Sequence, residues 1–91
     1  MNSIGSNFVA VALALGLGSA AWAAPSCTDA PKRDWMPEAQ MKAKIAEQGY
    51  VINRFLVSGN CYEIYGKDKV GKKVEVYFNP VSGAIVKQRV G

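Results

Sequence analysis

The chain has 91 residues, with eleven basic and seven acidic side chains, no histidine, two cysteines and a formal net charge of +4. The missing histidine excludes a Ser-His-Asp or Cys-His catalytic arrangement and removes the most common metal ligand. No Cys-x-x-Cys-His segment is present, so covalent attachment of a c-type haem is also excluded. We therefore expect neither a metal nor another cofactor.

Residues 1–23 are typical of a secretory signal peptide. Residues 4–22 carry no charge, an apolar run covers Phe8–Leu17, and small residues at Ala21 and Ala23 favour cleavage after Ala23. The dense apolar run is too short for a spanning helix, which needs about 20 apolar residues. No Lys or Arg precedes it, so either the amino terminus supplies the positive charge or the true start lies upstream. An uncleaved anchor and a lipoprotein are disfavoured alternatives, and we expect a periplasmic or secreted protein.

The remaining residues, 24–91, form one small domain that carries every charged side chain. A domain of this size buries a small fraction of its surface and benefits from a covalent link. Export places Cys27 and Cys61 under oxidising conditions, which predicts a disulfide between them. The alternative, a pair of thiols for redox or metal chemistry, is disfavoured because neither Cys-x-x-Cys spacing nor histidine is present.

A lead segment, residues 24–36, is rich in proline and charge, has no periodicity and is expected to be extended. A helix is predicted over residues 37–48, because Pro37 suits a first turn and Gly49 suits a left-handed C-terminal cap. Its apolar face is narrow and centres on Met41 and Ile45, as in a helix that lies on a sheet.

Four strands are predicted after the helix, separated by turn residues and ending in a clear hairpin. The predicted strands are residues 50–57, 61–66, 72–79 and 84–90. The fold class is α+β, with one N-terminal helix packed on a four-stranded antiparallel β-meander. The domain covers residues 37–91.

Alternation within the strands assigns side chains to the two faces of the sheet. Val74, Val76 and Phe78 are predicted to face the helix, with Tyr62 and Ile64 as their inward partners. The opposite face then carries Cys61, Glu63, Tyr65, Glu75 and Tyr77, so the lead segment must cross that face or wrap its edge. Glu63 and Glu75 could form a carboxylate pair, but outward-facing glutamates on a sheet are ordinarily solvated. We expect no catalytic residue and no enzymatic activity.

Two sets of residues are candidates for contacts with a partner. Lys67, Lys69, Lys72 and Lys73 surround one hairpin loop and form a basic tip, which could meet an acidic protein or an anionic membrane surface. The alternative, which involves no partner, is that these lysines keep the hairpin soluble and protect a strand edge. Tyr65 and Tyr77 form an outward aromatic pair that could bind a partner, although core or sheet cover is their commoner role. Export and the lack of aromatic residues among the lysines argue against nucleic acid.

The order and spacing of several short segments resemble the PepSY domain family, in its short, exported, single-domain form. The segments that carry the resemblance are Trp35–Glu38, Gln48–Ile52, Cys61–Ile64, Gly71–Val76 and Asn79–Val86. The resemblance covers residues 35–90. The last turn begins with Asn79 where many relatives would carry Asp, a change that leaves the turn intact because both residues cap turns.

The resemblance implies a binding or regulatory module without established catalytic residues. PepSY domains occur in the propeptides of secreted metallopeptidases and in cell-envelope proteins. We therefore expect a module that restrains a peptidase or contacts another envelope protein through its sheet edge. The alternative is an accessory protein of an envelope electron-transfer system, with the basic tip docking an acidic cytochrome.

Overall fold

The computed structural model describes residues 24–91. The signal peptide predicted for residues 1–23 and its cleavage after Ala23 lie outside the described residues. Within the described part, one helix precedes a four-stranded antiparallel sheet, which confirms the α+β class. The helix is not at the N-terminus of the chain, because the lead segment and a 3₁₀ turn at Lys32–Asp34 come before it. No helix in residues 24–91 is long and apolar enough to cross a membrane.

The helix, α1, spans Glu38–Glu47 and lies within a residue of its predicted bounds. Pro37 precedes the first turn as the N-cap residue instead of entering it, with φ −56° and ψ 146°. Gly49 has φ 95°, and its N–H donates to the carbonyl of Ala46, as expected for a glycine that ends a helix. Met41 and Ile45 are fully buried, so the narrow apolar face is the packed face.

The sheet is a meander in which each strand pairs with the next. Its strands are β1, Val51–Ser58; β2, Cys61–Lys67; β3, Lys73–Phe78; and β4, Ile85–Val90. The turn before β4 is built on Asn79, whose Oδ1 accepts hydrogen bonds from the N–H groups of Val81 and Ser82 at 2.8 and 3.2 Å. Gly83 completes this turn with φ 80°. The closing hairpin predicted from the alternation is confirmed.

A bulge in β1 brings two backbones close together. The pairing shifts between Ile52 and Arg54, so Asn53 has no direct partner on β2. Gly66 lies opposite Ile52, and a Cβ atom at this position would be 1.9 Å from the carbonyl oxygen of Val51. Only glycine fits this point in the strand pair.

The main core lies between α1 and one face of the sheet. The buried side chains that form it are Met41, Ile45, Tyr62, Ile64, Val74, Val76 and Phe78. The inward set predicted from alternation is therefore confirmed. Trp35 extends the core from the lead segment, with its ring 5.3 Å from that of Tyr62 in an edge-on contact.

The lead segment reaches the opposite face of the sheet, where a disulfide joins Cys27 to Cys61 across a Cα–Cα distance of 5.2 Å. The backbone N–H of Cys27 also donates to Oδ1 of Asn60 at 2.7 Å. Ala24 packs on a second buried cluster that contains both cysteines and Tyr77. The predicted disulfide is confirmed, and the lead segment reaches the face away from the helix, as the prediction that it crosses that face or wraps its edge requires.

The solvated state expected for Glu63 is wrong, and Tyr77 takes the role of sheet cover instead of forming an exposed pair with Tyr65. Each side chain is 2% exposed, although both lie on the face away from the helix as the alternation requires. For Tyr77 the reason is that this face has its own cover, to which Cys27 and Ala24 contribute. The solvated reading of the Glu63 and Glu75 pair therefore does not hold for Glu63.

Candidate functional site

The polar centre of the molecule is a pair of glutamates on neighbouring central strands. Glu63 on β2 lies directly opposite Tyr77 on β3, and Glu75 on β3 lies opposite Tyr65 on β2. The next strand places Arg89 opposite Glu75. Five polar side chains thus meet on one face because the antiparallel register brings two adjacent rows together.

Glu75 receives hydrogen bonds at both of its oxygens. The hydroxyls of Tyr65 and Tyr77 donate to Oε2 at 3.1 and 3.0 Å. Nη1 of Arg89 donates to Oε1 at 3.2 Å and forms an ion pair with it. Charge-assisted bonds of this kind favour the ionised carboxylate.

Glu63 is in the opposite situation. Its Oε2 is buried and has no hydrogen-bond donor among the described residues. Burial first, and then the hydrogen bond and charge of Glu75, raise the pKa of Glu63 to about 7. The nearby hydroxyls of Tyr77 and Tyr65, which donate to Glu75, lower the pKa of Glu63 without outweighing burial.

The two carboxyl groups behave as a coupled pair with divided roles. The hydrogen bond with Glu63 is the main cause that lowers the pKa of Glu75. Burial and the hydrogen bond to Glu75 raise the pKa of Tyr77, so its hydroxyl stays a donor. At mildly acidic pH the arrangement can hold a proton on Glu63 beside an ionised Glu75.

A surface cleft of about 320 Å³ opens beside the pair, at the end of the sheet where β4 stops. It is lined by Tyr65, Lys73, Glu75 and Arg89, together with apolar groups from β3 and β4. Two of the residues predicted to bind a partner, Tyr65 and Lys73, are therefore brought together. Tyr65 is 42% exposed, whereas Tyr77 is buried beneath this surface and offers no free ring face.

The basic tip forms as predicted, with Lys67, Lys69, Lys72 and Lys73 all exposed around the β2–β3 turn. Oδ1 of Asp68 accepts hydrogen bonds from the N–H groups of Val70 and Lys72, so the single acid of the tip holds the turn. Lys69 lines a second, smaller depression of about 210 Å³ near Tyr50, away from the first cleft. The tip thus has two sides that can be tested separately.

Strand β4 is an edge of the sheet, since β3 is its only strand neighbour in residues 24–91. Its apolar residues Ile85, Val86 and Val90 are between 41% and 52% exposed. Its charged residues are Lys87 and Arg89, and it carries no acid. An edge of this kind can accept an extended segment of another chain.

Residues 24–91 contain no group of three or more potential metal ligands. Arg89 is the residue of the site that the sequence reasoning missed. The sequence could have predicted its position, because the turn at Asn79–Gly83 and the alternation of β4 together place Arg89 on the same face as Glu75.

A protein-family model described as "Peptidase propeptide and YPEB domain" matches residues 7–89. The match includes almost all of the described structure and both strands that carry the glutamate pair. No curated protein and no solved structure matches the chain significantly.

Proposed function

The chain belongs to the PepSY family of peptidase propeptide and YPEB domains, and from this membership we propose that it is an exported, non-catalytic module that restrains a peptidase. The contact surface is the β4 edge and the adjoining cleft at Tyr65 and Lys73. A partner segment in extended conformation pairs with β4 through main-chain hydrogen bonds.

The open edge beside the cleft is the observation that carries this proposal. Ile85, Val86 and Val90 offer apolar contacts, and Lys73 supplies a positive charge at the mouth of the cleft. These features suit an extended segment that alternates apolar and acidic residues. A secreted peptidase can meet this protein only if both are exported. This agrees with the signal peptide predicted for residues 1–23.

The direct test is a rate measurement with a panel of secreted metallopeptidases and the oxidised protein in molar excess. We expect slower cleavage of a small chromogenic substrate by at least one peptidase. The variant Lys73→Glu should weaken the inhibition, whereas Lys69→Glu, with the same change in charge on the other side of the tip, should not. Unchanged cleavage rates across the panel would contradict the inhibitory function.

The exposed basic tip favours a second candidate, an accessory role in an envelope electron-transfer system. Four exposed lysines surround one turn whose only acid, Asp68, is bonded to the backbone. Attraction of this kind to an acidic cytochrome would be screened by salt. Here Lys69→Glu and Lys73→Glu should weaken binding equally, and a difference between them would favour the cleft instead.

A further inference from the structure

The side chain of Glu63 lacks a donor that a buried carboxylate requires. It is 2% exposed, and its Oε2 has no hydrogen-bond partner among residues 24–91. An ionised carboxylate buried in this way is strongly destabilising, and native structures almost always satisfy such a group. A proton on Glu63 removes the charge and converts the unsatisfied acceptor into a hydrogen-bond donor.

The natural acceptor for that proton is Glu75. Glu75 already receives two tyrosine hydroxyls and the guanidinium of Arg89, so its own ionised form is well stabilised. Two neighbouring carboxyl groups in one partly buried site cannot both ionise without repulsion. One proton shared by the two is the state that satisfies both.

We propose that Glu63 and Glu75 form a proton-binding site, and that loss of its single proton loosens the lead segment over this face of the sheet while the disulfide keeps that segment attached. The reaction is the release of H⁺ to solvent, with no change in any other bond. The raised pKa of Glu63, about 7, supports a titration near neutrality.

The route from the carboxyl pair to the lead segment is short. Glu63 is two residues from Cys61 on the same strand and the same face, and Tyr77 lies opposite Glu63. Tyr77 packs in one buried cluster with Cys61, Cys27 and Ala24. A second negative charge at Glu63 needs water, and opening of this cover would admit it beside Tyr77.

Each packed element contributes a limited set of charged or titratable groups to the site. On β1, the residue opposite Glu63 is Leu56, which cannot titrate. The lead contributes the disulfide, which has no charge, and Asp29 is its nearest acid in sequence. Cleavage after Ala23, as predicted, also gives Ala24 a positively charged α-amino group, which titrates. The remaining groups on this face are Arg54 from β1, Tyr65 and Lys67 from β2, Lys73, Glu75 and Tyr77 from β3, and Lys87 and Arg89 from β4.

Two nuclear magnetic resonance measurements on the oxidised protein test the proposal. The first follows the side-chain carboxyl carbons of Glu63 and Glu75 through a pH titration. The second follows the amide of Cys27, whose hydrogen bond to Asn60 reports docking of the lead segment. Its exchange is expressed as a protection factor, so that the ordinary pH dependence of amide exchange is removed.

We expect Glu63 to titrate near neutrality with a matching response at Glu75. The protection factor of Cys27 should fall about tenfold or more across the same pH range, since local opening sets exchange. In Glu63→Gln, a neutral side chain that still donates to Glu75, the protection should stay high at every pH. Glu47→Gln, on the exposed surface of α1, should behave like the parent protein.

Two results would overturn the inference. Titration of Glu63 below about pH 5 would mean that no proton is held near neutrality. A Cys27 protection factor that stays constant while Glu63 titrates would mean that the proton and the lead segment are not linked. Neither result depends on whether a peptidase is inhibited, so this inference and the proposed function can fail separately.

Discussion

Tyr65 and Tyr77 donate to the same oxygen of Glu75 but differ in their surroundings. The distances are 3.1 and 3.0 Å, while the exposed fractions are 42% and 2%. Water can replace the first hydrogen bond but not the second. The two hydroxyls therefore make the same hydrogen bond, one at the surface and one in a buried position.

Replacing Tyr77 with Phe should lower the free energy of unfolding by about 1.5–3 kcal/mol, the usual range for a buried hydrogen bond to a charged group. Tyr65→Phe should cost less than about 1 kcal/mol, because solvent can bond to Glu75 in its place. Urea denaturation of both variants provides the measurement. Equal losses would contradict the assignment of Tyr77 as the buried donor.

The raised pKa of Glu63 makes stability depend on pH in a defined direction. The ordinary value is 4.5 and the folded value about 7, so the folded protein binds this proton more tightly than the unfolded chain. The resulting stabilisation is fully present below about pH 4.5 and is lost as the pH rises to about 7. Glu75, whose pKa is lowered, stabilises above its ordinary value and loses this contribution only in more acidic solution.

The free energy of unfolding should therefore fall by up to about 3 kcal/mol between pH 4.5 and neutrality, given about 1.4 kcal/mol for each unit of pKa shift. Glu63→Gln should remove most of this slope and be the more stable protein at about pH 8. Urea midpoints measured across the range test this. A parent protein whose stability is flat between these pH values would argue against a protonated Glu63.

At the level of helices and strands, local signals predicted nearly everything. Pro37 and Gly49 bracket α1, and alternation closed by Asn79–Gly83 marks the last hairpin. The bulge at Asn53 was missed because no glycine or proline lies within β1. The available signal was Gly66, since a lone glycine inside a strand often marks a close approach of two backbones.

Gly66→Ala should destabilise the domain by about 3 kcal/mol or more, because the added Cβ meets the Val51 carbonyl rather than a flexible side chain. Gly71→Ala provides the control. Gly71 has φ 88° and open space around it, so only the backbone strain of about 1 kcal/mol applies. Thermal denaturation should place the alanine variant at position 66 clearly below that at position 71, and the reverse order would refute the steric argument.

At the scale of the whole molecule, the expectations that failed concern the face of the sheet that the lead segment reaches. The sequence places Glu63 and Tyr77 on the correct face, but alternation says only where a side chain points. The burial of Tyr77 depends on a segment without periodicity, which one disulfide holds in place. The cleft at Tyr65, Lys73 and Arg89 was likewise unpredictable as a shape, because it arises where three strands end together.

Replacing both cysteines with alanine should lower the free energy of unfolding by about 3–4 kcal/mol, the chain-entropy value for a cross-link over a sequence separation of 34. Reduction of the parent protein should have a similar effect, whereas reductant should leave the double variant unchanged. Urea denaturation with and without reductant measures both. An oxidised protein no more stable than the reduced one would contradict a structural role for the disulfide.

The position of Cys61 also determines how the domain bears mechanical load. A pull on residues before Cys27 passes through the disulfide into β2, a central strand that is hydrogen-bonded on both sides. A load applied at an edge strand would meet one ladder and could peel it, whereas this load meets two ladders at once. The lead segment is therefore fixed covalently to an inner strand and not to an edge of the sheet.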